Sequence, residues 1–556
     1  MILKKNTNYF IAQNSAVLRQ TPATDGDAVN HLLFGDWLRW LGQTDGDWEK
    51  IKCRGDTGWV RKSDITETRA LEVNFVDIGQ GDGTHIVTPD DQVLVIDAGK
   101  TDNMLRYLSW RYNLRGRKVK GVDGVEPNDR GAKDPFHIDR VMVSHPDKDH
   151  YYGFKDIFEH PKLSVGQMFH NGIVERSVSK ADKEAVKDIP HVKYLWDLGL
   201  GYSPKRGENY LTEIIGSNRQ LRDLEKAQRH TKKDYMETLR AAVANPNNKG
   251  MRFQALDSED GFVPGFEDGA PVTMEILGPV PQRITIDGAR RKVLPTLGDE
   301  GETKNGHSVV VKLRIGALKI LLGGDLNTAS EDYLFRHYCT AQEDVSDLEK
   351  TIFELEAKGS TMTDAERQEL DIAQASIEAL VAKGRKTFQV DVAKACHHGS
   401  HHFSETFLRA LNALAVVISS GDDEAYAHPR PDALGAFGRY GRGHRPLIFS
   451  TEISRRTREF SKVSDFYERI LDFKKRIDEA PNKRERKKVE RELEEAKDRN
   501  VAVYGMITLR SDGDRTIMAQ KIELPTRNDQ KWDIHELKYN ENVGEFRYVD
   551  KTKESH

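Results

Sequence analysis

The chain has 556 residues, 37% hydrophobic and 31% charged, with a formal net charge of -4. That composition supports packed cores and excludes wholesale disorder, and the near-neutral balance argues against a globally basic nucleic-acid binder. No apolar run approaches the roughly 18–20 residues of a membrane span, the start MILKKNTNYFIAQNSAV lacks a signal peptide's apolar stretch, and three scattered cysteines (Cys53, Cys339, Cys396) exclude a disulfide scaffold and a cysteine-based zinc module. A soluble, cytoplasmic protein with no membrane partner is expected.

Residues 1–70 read as short strands. AVLRQTP, WLRWLG, WEKIK and GWVRK alternate in polarity and are broken by the turn signals DGD, GD, DGD and RGDTG. Trp37, Trp40, Trp48 and Trp59 are four of the chain's 7 tryptophans, so this stretch is a separate compositional unit. They are expected to supply much of the core of a small barrel. The order of these segments, with Gly46-Asp47-Trp48 and Gly58-Trp59-Val60, resembles a bacterial SH3-like domain. The resemblance implies an all-β barrel that binds peptide, cell-wall or protein partners, or serves as a packing module.

From Ala70 the texture becomes α/β. LEVNFVDIG, QVLVIDAG and IDRVMVS are short buried-strand candidates. SVVVKLRIG and LKILLGGD flank Gly316-Ala317 as a hairpin, and FQVDVAKA, ALAVVISS, RPLIFS and AVYGMITLRSDG follow. Three segments read as insertions into this core. Residues 175–260 are polar with a mostly helical pattern. Residues 341–385 carry two amphipathic helices, one with Val345, Leu348, Ile352 and Leu355, the other with Leu370, Ala373, Ile377 and Leu380. Thr363 and Glu366 form a capping box opening the second. Residues 463–499 form another hairpin, with Phe466, Ile470, Phe473 and Ile477 on one helix and Val489, Leu493 and Ala496 on the other. Residues 526–556 read as a C-terminal extension. The stretch Arg111–Lys120 holds five basic residues and no acid, and is expected either to flank an active-site mouth and hold phosphates or to be a solvated loop.

The strongest chemical signal is VMVSHPDKDH, which sets His145, Asp147, Asp149 and His150 directly after a strand. A tight loop at a strand end lets imidazoles and carboxylates converge on a small volume. Residues 145 and 147 can serve one cation, and 149 and 150 another.

His-x-Asp-x-Asp-His resembles the signature of the metallo-β-lactamase fold, with aspartate for the second histidine. Further segments agree in order. Phe75 to Asp82 (FVDIGQGD) is similar to the opening of the hydrolase domain of ComEC-type competence proteins. Val95-Ile96-Asp97-Ala98-Gly99, Asn305-Gly306-His307-Ser308, Leu321-Leu322-Gly323-Gly324-Asp325, Cys396-His397-His398-Gly399-Ser400 and Ala427-His428-Pro429 resemble its later motifs. The resemblance implies an αββα sandwich over residues 71–525, with the helical-hairpin insertions, preceded by the SH3-like barrel. By position, His145 and Asp147 would ligate a first metal, Asp149 and His150 a second, and Asp325 would bridge them. His398 would be a further ligand, and His307 a weaker candidate. Asp149, His150 and Asp325 would carry the chemistry. His397, Ser400 and His428 would contact substrate, and Asp77, Asp82 and Asp97 would orient loops or ligands. Asp422, Asp423 and Glu424 depart from the family's late motif and would repel an anion or bind an extra cation.

The implied cofactors are two divalent cations, Zn²⁺ or Mn²⁺, which would activate a hydroxide. The expected function is a metal-dependent phosphodiesterase or nuclease acting on DNA or RNA. A second reading is a hydrolase of a small phosphoester, cyclic nucleotide, or amide or lactam. A third is an effector controlled by a protein partner through the SH3-like domain or the helical hairpins. Cys396 is read as core packing, and His401, His402 and His444 as surface groups.

Overall fold

A computed structural model describes residues 2–226, 234–421, 427–451, 471–503, 505–522 and 525–549. The acidic residues Asp422, Asp423 and Glu424, and Phe466 and Ile470 of the last predicted hairpin, lie outside the described residues.

The chain is a mixed α/β protein with an all-β N-terminal region. That region is a seven-stranded antiparallel sheet in which Ser15–Arg19, Trp37–Asp45, Trp48–Cys53 and Asp56–Arg61 match the segments expected as strands. Its core differs from expectation. Leu18, Leu32, Leu38, Ile51, Val60 and Ile65 fill it, with Tyr9 and Ile11. Trp37 is 48% exposed and Trp48 and Trp59 are half-buried, while Trp40 alone of the four packs against this core as expected. Strand alternation gives the reason. Glu49, Ile51 and Cys53 point inward, so Trp48, Lys50 and Lys52 point outward. Arg61 then stacks over Trp48 at 4.9 Å and Lys50 over Trp59 at 5.6 Å. These are cation–π contacts on a wet face rather than core packing.

Two larger sheets follow. Ten strands run in the order Arg252–Ala255, Leu163–His170, Phe136–Met142, Val93–Ile96, Thr84–Val87, Leu71–Phe75, Ile507–Ser511, Arg515–Lys521, Trp532–Asn540 and Glu545–Tyr548. The last two come from the segment read as an extension. Six strands form the second sheet: Val272–Gly278, Val310–Ile315, Leu318–Leu322, Val392–Lys394, Ala415–Ile418 and Leu447–Ser450. Leu318–Leu322 closes the expected hairpin at Gly316-Ala317 and then pairs in parallel with Val392–Lys394.

The two sheets share a core in which Val73, Leu94 and Leu509 of one meet Met274, Leu313, Ile320 and Val417 of the other. Helices Asn103–Arg111, Phe154–Glu159 and Asp234–Ala244 cover the outer face of the ten-stranded sheet. Helices Thr328–Cys339, Val345–Lys358, Asp364–Phe388, Glu405–Leu411 and Pro431–Tyr440 cover the other. Thr363 and Glu366 form the expected capping box. Val345, Leu348, Ala373, Ile377 and Leu380 all enter this core, so that hairpin's apolar stripes are internal packing.

The segment 175–260 is less helical than its polarity suggests. Val192–Tyr194, Leu200–Lys205 and Glu208–Leu211 are strands of a five-stranded sheet completed by Gln282–Ile286 and Ala289–Pro295. Leu211 pairs with Leu294, a partner far along the chain that local periodicity does not reveal. Among the described residues, no helix is long and apolar enough to cross a membrane.

Candidate metal centre

The segments that carry the candidate ligands all leave strands at one edge of the two facing sheets. His145 follows Phe136–Met142, Asp97 follows Val93–Ile96, Asp325 follows Leu318–Leu322, and His397 and His398 follow Val392–Lys394. Carboxyl ends of parallel strands open a crevice suited to a ligand.

Six of the expected ligands converge there. His150 Nε2 and His398 Nε2 lie 3.2 and 3.3 Å from Asp325 Oδ2, and 3.3 Å from each other. His398 Nε2 is 3.9 Å from Asp149 Oδ2. His145 Nε2 is 3.7 Å from Asp147 Oδ2 and 4.0 Å from Asp325 Oδ2. His145, His150 and Asp325 form one group able to hold a cation, and Asp149, His150 and His398 another.

The residues around them fix their orientation. Asp97 Oδ2 accepts from His150 Nδ1 at 2.9 Å, and the Asp97 carboxylate also takes the Ser144 amide and hydroxyl at 2.8 and 2.7 Å. Asp82 Oδ1 lies 3.1 Å from His398 Nδ1, with the Ser419 carbonyl at the same distance on that atom. Each imidazole thereby presents Nε2 to the centre, an arrangement that raises ligand basicity. Asp77 Oδ1 accepts the Gly79 amide at 3.1 Å and so shapes the loop behind Asp149.

The site is short of positive charge. Burial disfavours the imidazolium of His150, yet the adjoining carboxylates of Asp325 and Asp97 raise its pKa well above the ordinary value. For His398, burial is likewise outweighed by Asp325 and Asp82, and its pKa rises to about 10. His145 Nε2 is buried without a hydrogen-bond partner, and Asp325 Oδ1 has none beyond the Lys394 ammonium at 3.7 Å. Orphaned donor atoms among carboxylates fit a divalent cation.

A cleft of about 560 Å³ opens over this cluster. His397, Ser400 and His428 line it, as do Asp147, Asp149, Asp325 and His398. His397 and His398 adopt φ of 48° and 54°, a left-handed turn that sends neighbouring rings apart, one to the cleft wall and one to the cluster.

Two expectations are corrected. His307 does not join the ligands: it is fully buried, and its Nε2 donates to the Pro295 carbonyl at 2.7 Å, because helix Glu300–Gly306 ends there and turns the ring away from the cleft. Asn305 on the same turn lines the cleft instead. The basic stretch Arg111–Lys120 does not line it either. Arg111 pairs with Glu72 at 2.8 Å, Arg115 with Glu494 at 3.4 Å and Lys120 with Asp134 at 3.0 Å, and Arg117 donates to the Asp134 carbonyl. Arg111, Arg115 and Lys120 thus face acids of the same fold, and Arg117 a backbone carbonyl.

Other residues at the site were not singled out from sequence. Lys394, 4% exposed in its side chain, contacts Asp82 and lies 3.7 Å from Asp325 Oδ1. Its only signal is its place on the strand before Cys396-His397-His398. Gln80, Lys100 and Arg430 line the cleft, and so do His401 and His402, which the sequence reading places at the surface. The run His-His-Gly-Ser-His-His held the clue for His401 and His402, which are wall groups as well as surface ones.

Residues 12–67 match the family described as bacterial SH3 domain. No curated protein matches the chain.

Proposed function

We propose that this chain is a metal-dependent hydrolase of the metallo-β-lactamase fold that cleaves phosphodiesters, with nucleic acid as its foremost substrate. The observation that carries the reading is the convergence of His145, Asp147, Asp149, His150, Asp325 and His398, from three separate segments, beneath one cleft. The layering of two facing sheets between helices supports the fold assignment.

Asp149, His150, Asp325 and His398 would hold one divalent cation, with His145 and Asp147 facing a second position. A cation there would supply Lewis acidity, drawing electron density from the phosphoryl oxygens as negative charge builds. Asp97 and Asp82 keep the His150 and His398 rings aimed. Lys100, Arg430, His401 and His428 set donors on the wall, where they favour an anionic substrate over a neutral one. The wall group His397 stays neutral at neutral pH, because burial and then the neighbouring imidazoles outweigh Asp325 and lower its pKa to about 4. It therefore offers a hydrogen bond rather than a charge.

One observation favours the narrower reading of a small phosphoester or cyclic nucleotide. The arginines of 111–120 are engaged elsewhere, and a cleft of about 560 Å³ is the size of a small-molecule site. The test sets single- and double-stranded DNA, RNA, cyclic nucleotides and a generic aryl phosphodiester against the wild type and Asp149→Ala, with Mn²⁺ or Zn²⁺. Cleavage by wild type alone supports the proposal, and the substrate order separates polymer from small molecule. Equal cleavage by both proteins, or by neither, overturns it.

A further inference from the structure

The two halves of the centre are not equivalent. Around Asp325 Oδ2 the separations are 3.2, 3.3 and 3.3 Å among His150, His398 and the carboxylate, and Asp149 completes the set at 3.9 Å from His398. Ligands at about 2.0–2.2 Å from a tetrahedral ion are separated from one another by about 3.3–3.6 Å. His150, His398 and Asp325 are therefore already spaced for a cation, with Asp149 slightly wider beside them.

The other half has no such close triad and is short of ligands. His145 Nε2 stands 3.7 Å from Asp147 and 4.0 Å from Asp325. His307, the weaker candidate ligand, donates to Pro295. Asn305 offers a carbonyl oxygen that is buried and without a hydrogen-bond partner, but it brings no charge. A cation is nevertheless present, supplied by the chain. Lys304 Nζ contacts Asp147 Oδ1 and lies 3.8 Å from Glu175 Oε1, with its side chain 14% exposed. Helix Glu300–Gly306, fixed by the Asp299–Glu302 capping box, carries Lys304 to that place. A divalent ion between His145 and Asp147 would share the Asp147 carboxylate with this ammonium, and two cations on one partly buried carboxylate repel.

We propose that the centre takes one divalent cation, held by Asp149, His150, Asp325 and His398, and that the Lys304 ammonium stands in the charge position a second cation would fill beside Asp147. The proposal rests on reading the cluster as a metal centre and replaces a pair of ions with one ion and one lysine. The chain's own residues then set the metal count through a single side chain.

The test is metal stoichiometry. The full chain is equilibrated with excess Mn²⁺ or, separately, Zn²⁺, desalted, and assayed for metal and protein. One ion per chain is expected for wild type and for Lys304→Arg, and two for Lys304→Met. Two ions in wild type, or one in a folded Lys304→Met, overturns the proposal and leaves the metal-centre reading standing. No bound ion in wild type overturns both. If Lys304→Met does not fold, electron paramagnetic resonance of Mn²⁺-loaded wild type decides. The uncoupled signal of isolated Mn²⁺ is expected, and the exchange-coupled signal of a pair overturns the proposal.

Discussion

Asp97 and His150 are joined through Oδ2 and Nδ1 at 2.9 Å, with both side chains buried, so an aspartate that touches no substrate sets which nitrogen of His150 faces the centre. Asp97→Asn keeps the shape but removes the carboxylate that holds the ring's Nδ1–H. Loss of such an outer partner lowers metal affinity by about 10–100-fold. Competition with a chelator measures it. Unchanged affinity would contradict the role given to Asp97.

Gly81 lies against the metal loop. Its φ is 101°, and a Cβ there would stand 1.7 Å from the Asp149 carbonyl oxygen. The same carbonyl accepts the Asp82 amide at 3.3 Å. Gly81→Ala must push the Asp149 loop outward, because both the backbone angle and the space exclude a side chain. We expect loss of metal retention with the far-ultraviolet circular dichroism preserved. Full retention would contradict this packing.

Glu72 ties the N-terminal barrel to the sheet behind it. It accepts from Arg510 at 2.7 Å and Arg111 at 2.8 Å, and Arg510 in turn lies 3.8 Å from Asp36 of the barrel, which pairs with Arg54 at 2.6 Å. Burial raises the Glu72 pKa, but Arg111 and Arg510 outweigh it and hold the carboxyl well below its usual range. Glu72→Gln strands two guanidinium groups, one of them with its side chain 4% exposed. Breaking a buried pair from one side costs about 3–5 kcal/mol. Urea unfolding is expected to show that loss, and a change below about 1 kcal/mol, the range of a surface pair, would contradict it.

His85 predicts an acid-sensitive step. It is fully buried, with Nδ1 facing Asn74 at 3.1 Å and Nε2 facing Tyr112 at 2.7 Å. Burial, only partly offset by Glu72, lowers its pKa from 6.5 to about 3. Below 6.5 the unfolded chain takes up a proton that the folded chain refuses until about 3. Its contribution to stability is therefore complete above 6.5 and falls away as pH drops through that window. The stability of His85→Gln is expected to change less steeply with pH there than that of wild type. Parallel profiles would contradict the assignment.

Much of the framework is readable from sequence because it is written locally. Ligand-type residues at strand ends, such as His145 after VMVS and Asp325 after LLGG, need only a short window. What was missed depends on partners elsewhere. Alternation states that Trp48 and Ile51 face opposite ways, but which way is inward is set by the rest of the barrel. The basic run 111–120 looked free because Glu72, Glu494 and Asp134 lie outside it. His307 carried the right chemistry, but the end of its helix directs the ring at Pro295. Lys304 belongs to no motif, and only the turn of helix Glu300–Gly306 toward the cleft gives it Asp147 as a partner.

We propose that these side chains build a hydrolytic metal centre. Its most direct test is the rate of phosphodiester cleavage by the full chain as Mn²⁺ or Zn²⁺ is titrated in, with Asp325→Asn and His398→Ala run beside wild type. A saturable, metal-dependent rate confined to wild type is predicted. A rate that ignores metal, or that survives both substitutions, would contradict the account.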